Sequence, residues 1–231
     1  MANRIATLAL VAGASLLGGF GGAALYDVSG LGGKATEAYL IDNPEILPRV
    51  AEALQQKDAA QRLASVGADV EQPFPGAVLG NPQGSKTLVE FSDYNCGYCR
   101  ASKADVEALV AKDPELRVVV REFPIFEGSE APARLALAAA KQGKFAAFHN
   151  ALFEEDSKDE AAIRRAADKA GLDFERAMRD ATGQDVTVEL AKNRSMAEQL
   201  GFSGTPSWVA GGKAFEGAIG EKGLADAIDG A

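Results

Sequence analysis

The chain has two cysteines, Cys96 and Cys99, separated by Gly97-Tyr98. The pair follows a run that reads as a buried strand, residues 86–91. It opens a stretch of helical spacing, residues 99–112, with Ala101, Val106, Leu109 and Val110 on the apolar side. That context gives the spacing a chemical meaning. The first turn of a helix has unpaired N–H groups and a partial positive charge, so a sulfur placed there is stabilised as thiolate. Cys96 is expected to be the exposed attacking sulfur. Cys99, one turn in and more buried, would resolve the mixed disulfide. A structural bridge is a poor alternative, because closing so short a loop removes little chain entropy. Attachment of c-type haem would need a histidine where Arg100 stands. One histidine and scattered carboxylates complement the pair poorly as zinc ligands, so neither a metal nor a cofactor is expected.

Composition narrows the classes further. Lys+Arg of 24 against Asp+Glu of 33 gives a net charge of −9. An acidic chain repels phosphate instead of releasing its counterions, which argues against nucleic acid as a partner. With 47% apolar residues in 231, the chain can bury a full core in one or two domains. Residues 5–25 carry no charge and are rich in Gly and Ala. Two readings compete for residues 1–26: a signal peptide cleaved near Gly22-Ala23-Ala24, or an uncleaved signal anchor. Both send the remainder to the periplasm, anchored to the inner membrane or released. No cysteine lies near the segment to carry a lipid.

Residues 27–35 read as a flexible exit, and residues 36–66 as helical. Asn43-Pro44 marks a helix start within that stretch, and Pro48 is expected to shift the start or kink its first turn. Leu47, Val50 and Leu54 recur at heptad spacing, with Ile46 and Ala53 alongside. Residues 27–70 therefore form a helical segment that either lies on its own domain or self-associates. Residues 67–85, with prolines at 73, 75 and 82, read as a linker holding one short strand at Ala77-Val78-Leu79. A second domain covers residues 77–231. It begins strand–helix–strand, with a second buried strand at residues 116–122, and continues as a helical block at residues 129–201. Ser129 is the expected N-cap of that block, and Gly143, Gly171, Gly183 and Gly201 are expected helix stops. A hairpin turning at Gly211-Gly212 and a closing helix at residues 221–229 complete the order.

Several motifs accompany the cysteines in this order. Val89-Glu90-Phe91-Ser92-Asp93-Tyr94 leads into the pair, Arg121-Glu122-Phe123-Pro124-Ile125 leaves the next strand, and Gly204-Thr205-Pro206 precedes the hairpin. Together they resemble the bacterial exported disulfide-exchange (Dsb) family. Ala38-Tyr39-Leu40-Ile41-Asp42-Asn43-Pro44-Glu45 is similar to the N-terminal module of oligomeric members associated with copper-stress disulfide chemistry. The resemblance implies an α/β thioredoxin-like fold, βαβ–helical insertion–ββα, with Cys96 and Cys99 as a redox-active disulfide and Gly97-Tyr98 as the tuning dipeptide. It implies that Pro206 is a cis-proline packed against the pair, and that the Thr205 backbone pairs with an extended client segment. Glu90 falls at the family's buried acidic position, where it would relay a proton to or from Cys99; an exposed strand carboxylate is the competing reading. His149, among Phe145 and Phe148, is expected to pack and not to ligate.

Gly97-Tyr98 brings no imidazole or cation to the pair, so extreme thiolate stabilisation is not expected. With Thr before the proline, the dipeptide resembles the family's isomerase branch. The favoured function is a disulfide isomerase acting on cysteines of misfolded exported proteins. It would work as a homo-oligomer, dimer or trimer, and be reset by a membrane redox partner. Oxidase and reductase remain open within the family. A membrane-tethered holdase or a Cu(I)-binding thiol protein is the reading from a different class.

Overall fold

A computed structural model describes residues 31–230. The expected signal or anchor helix at residues 5–25 lies outside the described residues. Among the described residues no helix is long and apolar enough to cross a membrane. The chain divides into two compact units, with the boundary between Gln56 and Lys57.

The first unit contains α1 (Leu31–Asp42) and the start of α2 (Ile46–Val66). Helix α1 begins inside the stretch expected to be flexible. Its Ala- and Glu-containing centre offsets the cost of Gly32 and Gly33, about 1 kcal/mol each relative to Ala. Asn43 does not cap the second helix with its side chain. Its N–H and its Nδ2 both donate to the Tyr39 carbonyl, at 3.0 and 2.8 Å, closing α1, while its own carbonyl accepts from Ile46. Pro48 sits in the first turn of α2, where a missing N–H costs no helical bond, and the helix starts at Ile46, shifted past the expected Asn43-Pro44 start.

In the second unit a 3-10 turn (Gly67–Glu71) buries Val70, and Phe74 is buried just after it. The stretch expected to be a linker is thus partly core, and the unit starts at Lys57, ahead of the expected residue 77. Strands β1 (Val78–Gly80), β2 (Lys86–Ser92), β3 (Leu116–Glu122), β4 (Ser207–Ala210) and β5 (Lys213–Glu216) form one sheet in the order β1-β3-β2-β4-β5. Only β2 and β3 are parallel, joined through α3 (Gly97–Lys112). The register sets Glu90 between Val120 and Trp208.

Alternation along the strands sorts two cores. Leu88, Val118, Val120 and Trp208 join the larger one, with Cys99, Leu109 and the insertion helices. Val89, Phe91, Val119 and Val209 join the other, with Val66, Val70, Met196 and Leu200. The insertion comprises α4 (Glu130–Lys141), α5 (Phe145–Glu154), α6 (Glu160–Ala170), α7 (Phe174–Ala181) and α8 (Gln184–Leu200); α9 (Gly220–Asp229) closes the chain. Gly171 and Gly201 end α6 and α8 at φ of 64° and 77°, the left-handed conformation open to glycine. Gly183 departs from expectation: at φ −62° it precedes α8 as its N-cap. Ser129 holds the N-cap position of α4 without capping it, because its hydroxyl donates to Asp93 at 2.5 Å.

Arg121 ties the sheet to the 3-10 turn and to α8. It is buried, and each of its nitrogens is bonded. Nε donates to the Val70 carbonyl at 3.1 Å, and Nη1 to Glu189 and Asn193 at 2.8 and 2.9 Å. Nη2 donates to the carbonyls of Asp69 and Gln72. Burying a guanidinium is tolerable only with its donors satisfied. Removing it leaves these acceptors stranded, so Arg121→Ala should lose about 3–5 kcal/mol in urea unfolding. A loss below about 1 kcal/mol would mean the network is structurally idle.

Candidate active site

Cys96 is the N-cap residue of α3. Its N–H donates to the Asp93 carbonyl at 3.1 Å, and its carbonyl accepts from Arg100 at 3.1 Å, which starts the helix directly behind the sulfur. Both cysteines are free thiols. The Cys96 thiol donates to the Thr205 carbonyl at 3.1 Å. Cys96 is only 4% exposed, against the expectation of an exposed sulfur; Cys99, at 0%, is the more buried of the two. Thr205 covers the first sulfur, which is why it is less open than a helix start alone would leave it. The Thr205-Pro206 bond is cis. Tyr98 is 70% exposed, and a Cβ at Gly97 would meet nothing within 4 Å, so the dipeptide faces open space.

Glu90 lies in the larger core's layer of the sheet, fully buried between Trp208 and Val120. Burial raises its pKa from 4.5 to about 7. Burial likewise pushes the Cys99 thiol well up, and the Glu90 charge adds to the rise. Loss of a proton from Cys99 is therefore opposed unless a neighbouring base takes it. Glu90 is a carboxylate poised to hold or release a proton near neutral pH beside that thiol.

The loop from Ser92 to Cys96 is anchored through Asp93. Its Oδ1 accepts from the Asn95 N–H at 2.8 Å and from the Ser129 hydroxyl, and its Oδ2 accepts from the Ile125 and Phe126 N–H groups at 2.7 and 3.1 Å. Asn95 Nδ2 adds bonds to Glu127 O and Ser129 Oγ. One carboxylate thus fixes the cysteine loop, the exit of β3 and the start of α4 to one another. Below it, the Tyr94 hydroxyl donates to Glu122 Oε1 at 3.1 Å and lies 3.0 Å from His149 Nδ1. Burial raises Glu122 well above its usual range and lowers His149 from 6.5 to about 3, so burial disfavours charge on both. His149 packs against Phe145, Phe153 and Tyr94, as expected, and also joins this polar chain.

The structure therefore brings Cys96, Cys99, Glu90, Thr205 and Pro206 together. Sequence reasoning missed Asp93, Tyr94, Asn95, Glu122 and Arg121 as positioning groups. One signal was available: Arg121 and Glu122 are consecutive charges ending the strand that begins Leu116-Arg117-Val118-Val119-Val120. In a strand buried on both faces, such charges need partners.

Comparison with known proteins agrees with this geometry. Residues 87–229 match the model of the DSBA-like thioredoxin domain, and residues 33–61 match the copper resistance protein ScsC N-terminal domain. A thioredoxin-like oxidoreductase from Silicibacter pomeroyi DSS-3 is 43% identical, with a TM-score of 0.67 over 71% of this chain and 95% of that one. Proteus mirabilis ScsC in a transitional conformation is 27% identical, with a TM-score of 0.66 over 85% of this chain and 91% of that one. A periplasmic thioredoxin-like protein from Salmonella enterica serovar Typhimurium is 26% identical, with a TM-score of 0.62 over 71% and 94%. Among curated proteins, the Na(+)/H(+) antiporter NhaA of Herminiimonas arsenicoxydans is 28% identical over 205 residues, 85% of this chain. NhaA 3 of Salinispora tropica is 27% identical over 155 residues, 65% of this chain. The chain spans only 33% and 24% of the lengths of those two transporters.

The Glu90 environment fixes a pH dependence. Folded, Glu90 keeps its proton to about pH 7; unfolded, to its ordinary 4.5. Between those values the folded state binds the extra proton, so folding stability falls as pH rises. Glu90→Gln should remove about 3 kcal/mol of the stability difference between about pH 5 and about pH 8, at 1.36 kcal/mol per pKa unit. Urea unfolding at both values measures it; an unchanged difference would show that Glu90 ionises freely in the folded chain.

Proposed function

The chain belongs to the DSBA-like thioredoxin domain family and is a thiol:disulfide oxidoreductase, and from that premise we propose that it works in the periplasm as a disulfide isomerase on cysteines of exported client proteins. The exchange chemistry rests on one observation: Cys96 caps α3 with its sulfur against the Thr205 carbonyl, while Cys99 is buried near Glu90. Cys96, as thiolate, attacks a client disulfide; the bond between the two client sulfurs breaks, and the departing sulfur leaves as a thiolate. Cys99 then gives its proton to Glu90 and attacks the Cys96 sulfur, which releases the client and leaves the Cys96–Cys99 disulfide. In isomerisation the freed client thiolate attacks a different client sulfur before Cys99 acts. Thr205 offers backbone to an extended client segment, with Pro206 beside the pair. A membrane redox partner would restore the working oxidation state.

The isomerase reading, over oxidase, is supported by the first unit. Tyr39, Ile41, Leu47, Val50 and Leu54 are all exposed there, and residues 33–61 match the ScsC N-terminal domain. Apolar side chains of this size gain about 1.5–3 kcal/mol each when fully removed from water. Self-association through this face, as a dimer or trimer, would give several cysteine pairs around one misfolded client. Residues 5–25 would anchor the assembly or be cleaved after export.

Two experiments test this. Cys96→Ser should abolish exchange, and Cys99→Ser should accumulate mixed disulfides with clients, read by non-reducing electrophoresis. Equal trapping by both variants would reverse or void the assigned roles. Deleting residues 27–56 from the soluble protein, which spares the buried Val66 and Val70, should leave a redox-active monomer. By light scattering and scrambled-disulfide assays it should lose isomerisation and keep dithiol oxidation. A longer protein that is already monomeric, or a truncation that isomerises equally well, would put the oxidase reading first.

A further inference from the structure

Cys96 lines a cleft of about 240 Å³ together with Tyr94, Asn95, Arg100, Asp156 and Lys158. Two cations, Arg100 and Lys158, meet there at the C-terminus of α5. The Arg100 guanidinium and the Lys158 ammonium both donate to the same acceptor, the Glu155 carbonyl oxygen, Lys158 at 2.6 Å. Two like charges are thereby held side by side. The nearby carboxylates offset them only in part. The Glu155 carboxylate binds Arg165 at 2.5 and 3.1 Å. Asp156 pairs with Arg100 at 3.6 Å from a fully solvent-exposed side chain, where water weakens the pair. Among the described residues, no carboxylate lies in ion-pair range of Lys158. Burial and the Arg100 charge outweigh the opposing charges of Glu155 and Asp156 and lower Lys158 from 10.5 to about 8. Paired cations of this kind are repulsive when alone and favourable when an anion sits between them. They stand at the sulfur proposed to attack, where any anion carried by the reacting partner would arrive.

We propose that this cleft is an anion-reading subsite, in which Arg100 and Lys158 bind the carboxylate of an Asp or Glu flanking the reacting cysteine of a client segment. The proposal rests on the exchange function above and adds to it a class of preferred client. The carboxylate is bound and not consumed. Cys96 attacks one sulfur of the client disulfide, that S–S bond breaks, and the leaving thiolate is protonated by water. Cys99 then attacks Cys96 and releases the acidic segment as a thiol, so two protein thiols are oxidised as one disulfide is reduced.

The test uses the reduced soluble protein and disulfide-linked dimers of three peptides that differ only in the residue beside cysteine: Asp, Gln or Lys. Oxidation of the protein is followed by alkylation and mass spectrometry. At low salt the Asp peptide should react about tenfold faster than the Lys peptide, a preference that shrinks in about 1 M salt as the Debye length falls to about 3 Å. In the Arg100→Gln/Lys158→Gln variant the Asp-to-Lys ratio should fall to about twofold or less, each variant's Gln-peptide rate being its internal reference. An unchanged ratio in the variant overturns the subsite. Glutathione disulfide, which brings carboxylates without an extended client segment, should gain less from the two cations than the Asp peptide does. An equal gain assigns the cleft to small carboxylate-bearing thiols and overturns the client reading. A wild-type protein that reacts with none of these disulfides contradicts the exchange function itself, a result distinct from lost selectivity.

Discussion

The structure depends on a charge kept where water is excluded. Glu90 occupies a position in β2 that alternation assigns to the larger core, between Trp208 and Val120. Burial there holds its carboxyl near neutrality and raises the neighbouring Cys99 thiol. The Glu90 charge makes ionisation of Cys99 harder still, so two negative charges there are disfavoured. The arrangement costs stability above the carboxyl's unfolded pKa, as buried acids do. In return it provides a proton acceptor beside a thiol that water does not reach.

Much of the surrounding fold serves to keep that pair dry and the first sulfur in place. Asp93 binds the N–H groups and hydroxyl that fix the cysteine loop to the exit of β3 and to α4. The insertion helices contribute Phe145, Phe148, Leu152 and Phe153 to the same core that contains both cysteines. Tyr94, Glu122 and His149 form a buried polar chain within it. On the opposite face Arg121 joins β3 to the 3-10 turn and to α8, so the strand that pairs with Glu90 is held at both surfaces. Rigid support of this kind keeps a reacting group within the narrow geometry its chemistry needs.

Local patterns carried most of the architecture. A buried strand, a Cys-x-x-Cys helix start, a β-branched second strand and a Gly-Gly hairpin are each short-range signals, and each stands where it was expected. That Glu90 is a buried acid was implied by the family resemblance and not by local periodicity, and the structure buries it. What escaped notice was long-range. The partners of Arg121 are carbonyls near residue 70 and side chains on α8, and no local periodicity points to either. Helical spacing through residue 66 likewise does not reveal that Val66 and Val70 pack with Val89, Phe91 and Val119 of the sheet. Gly183 was read as a stop because a glycine between helices fits either end, and only its φ decides.

The most direct test of the account is the rate at which Cys99 resolves a preformed mixed disulfide on Cys96, followed across pH by stopped flow. If Glu90 accepts the Cys99 proton, the rate in the wild-type protein rises through an inflection near its pKa of about 7. In Glu90→Gln the reaction is slower and the inflection is gone. The same profile and the same rate in both proteins would contradict the claim that the buried carboxylate serves the buried thiol.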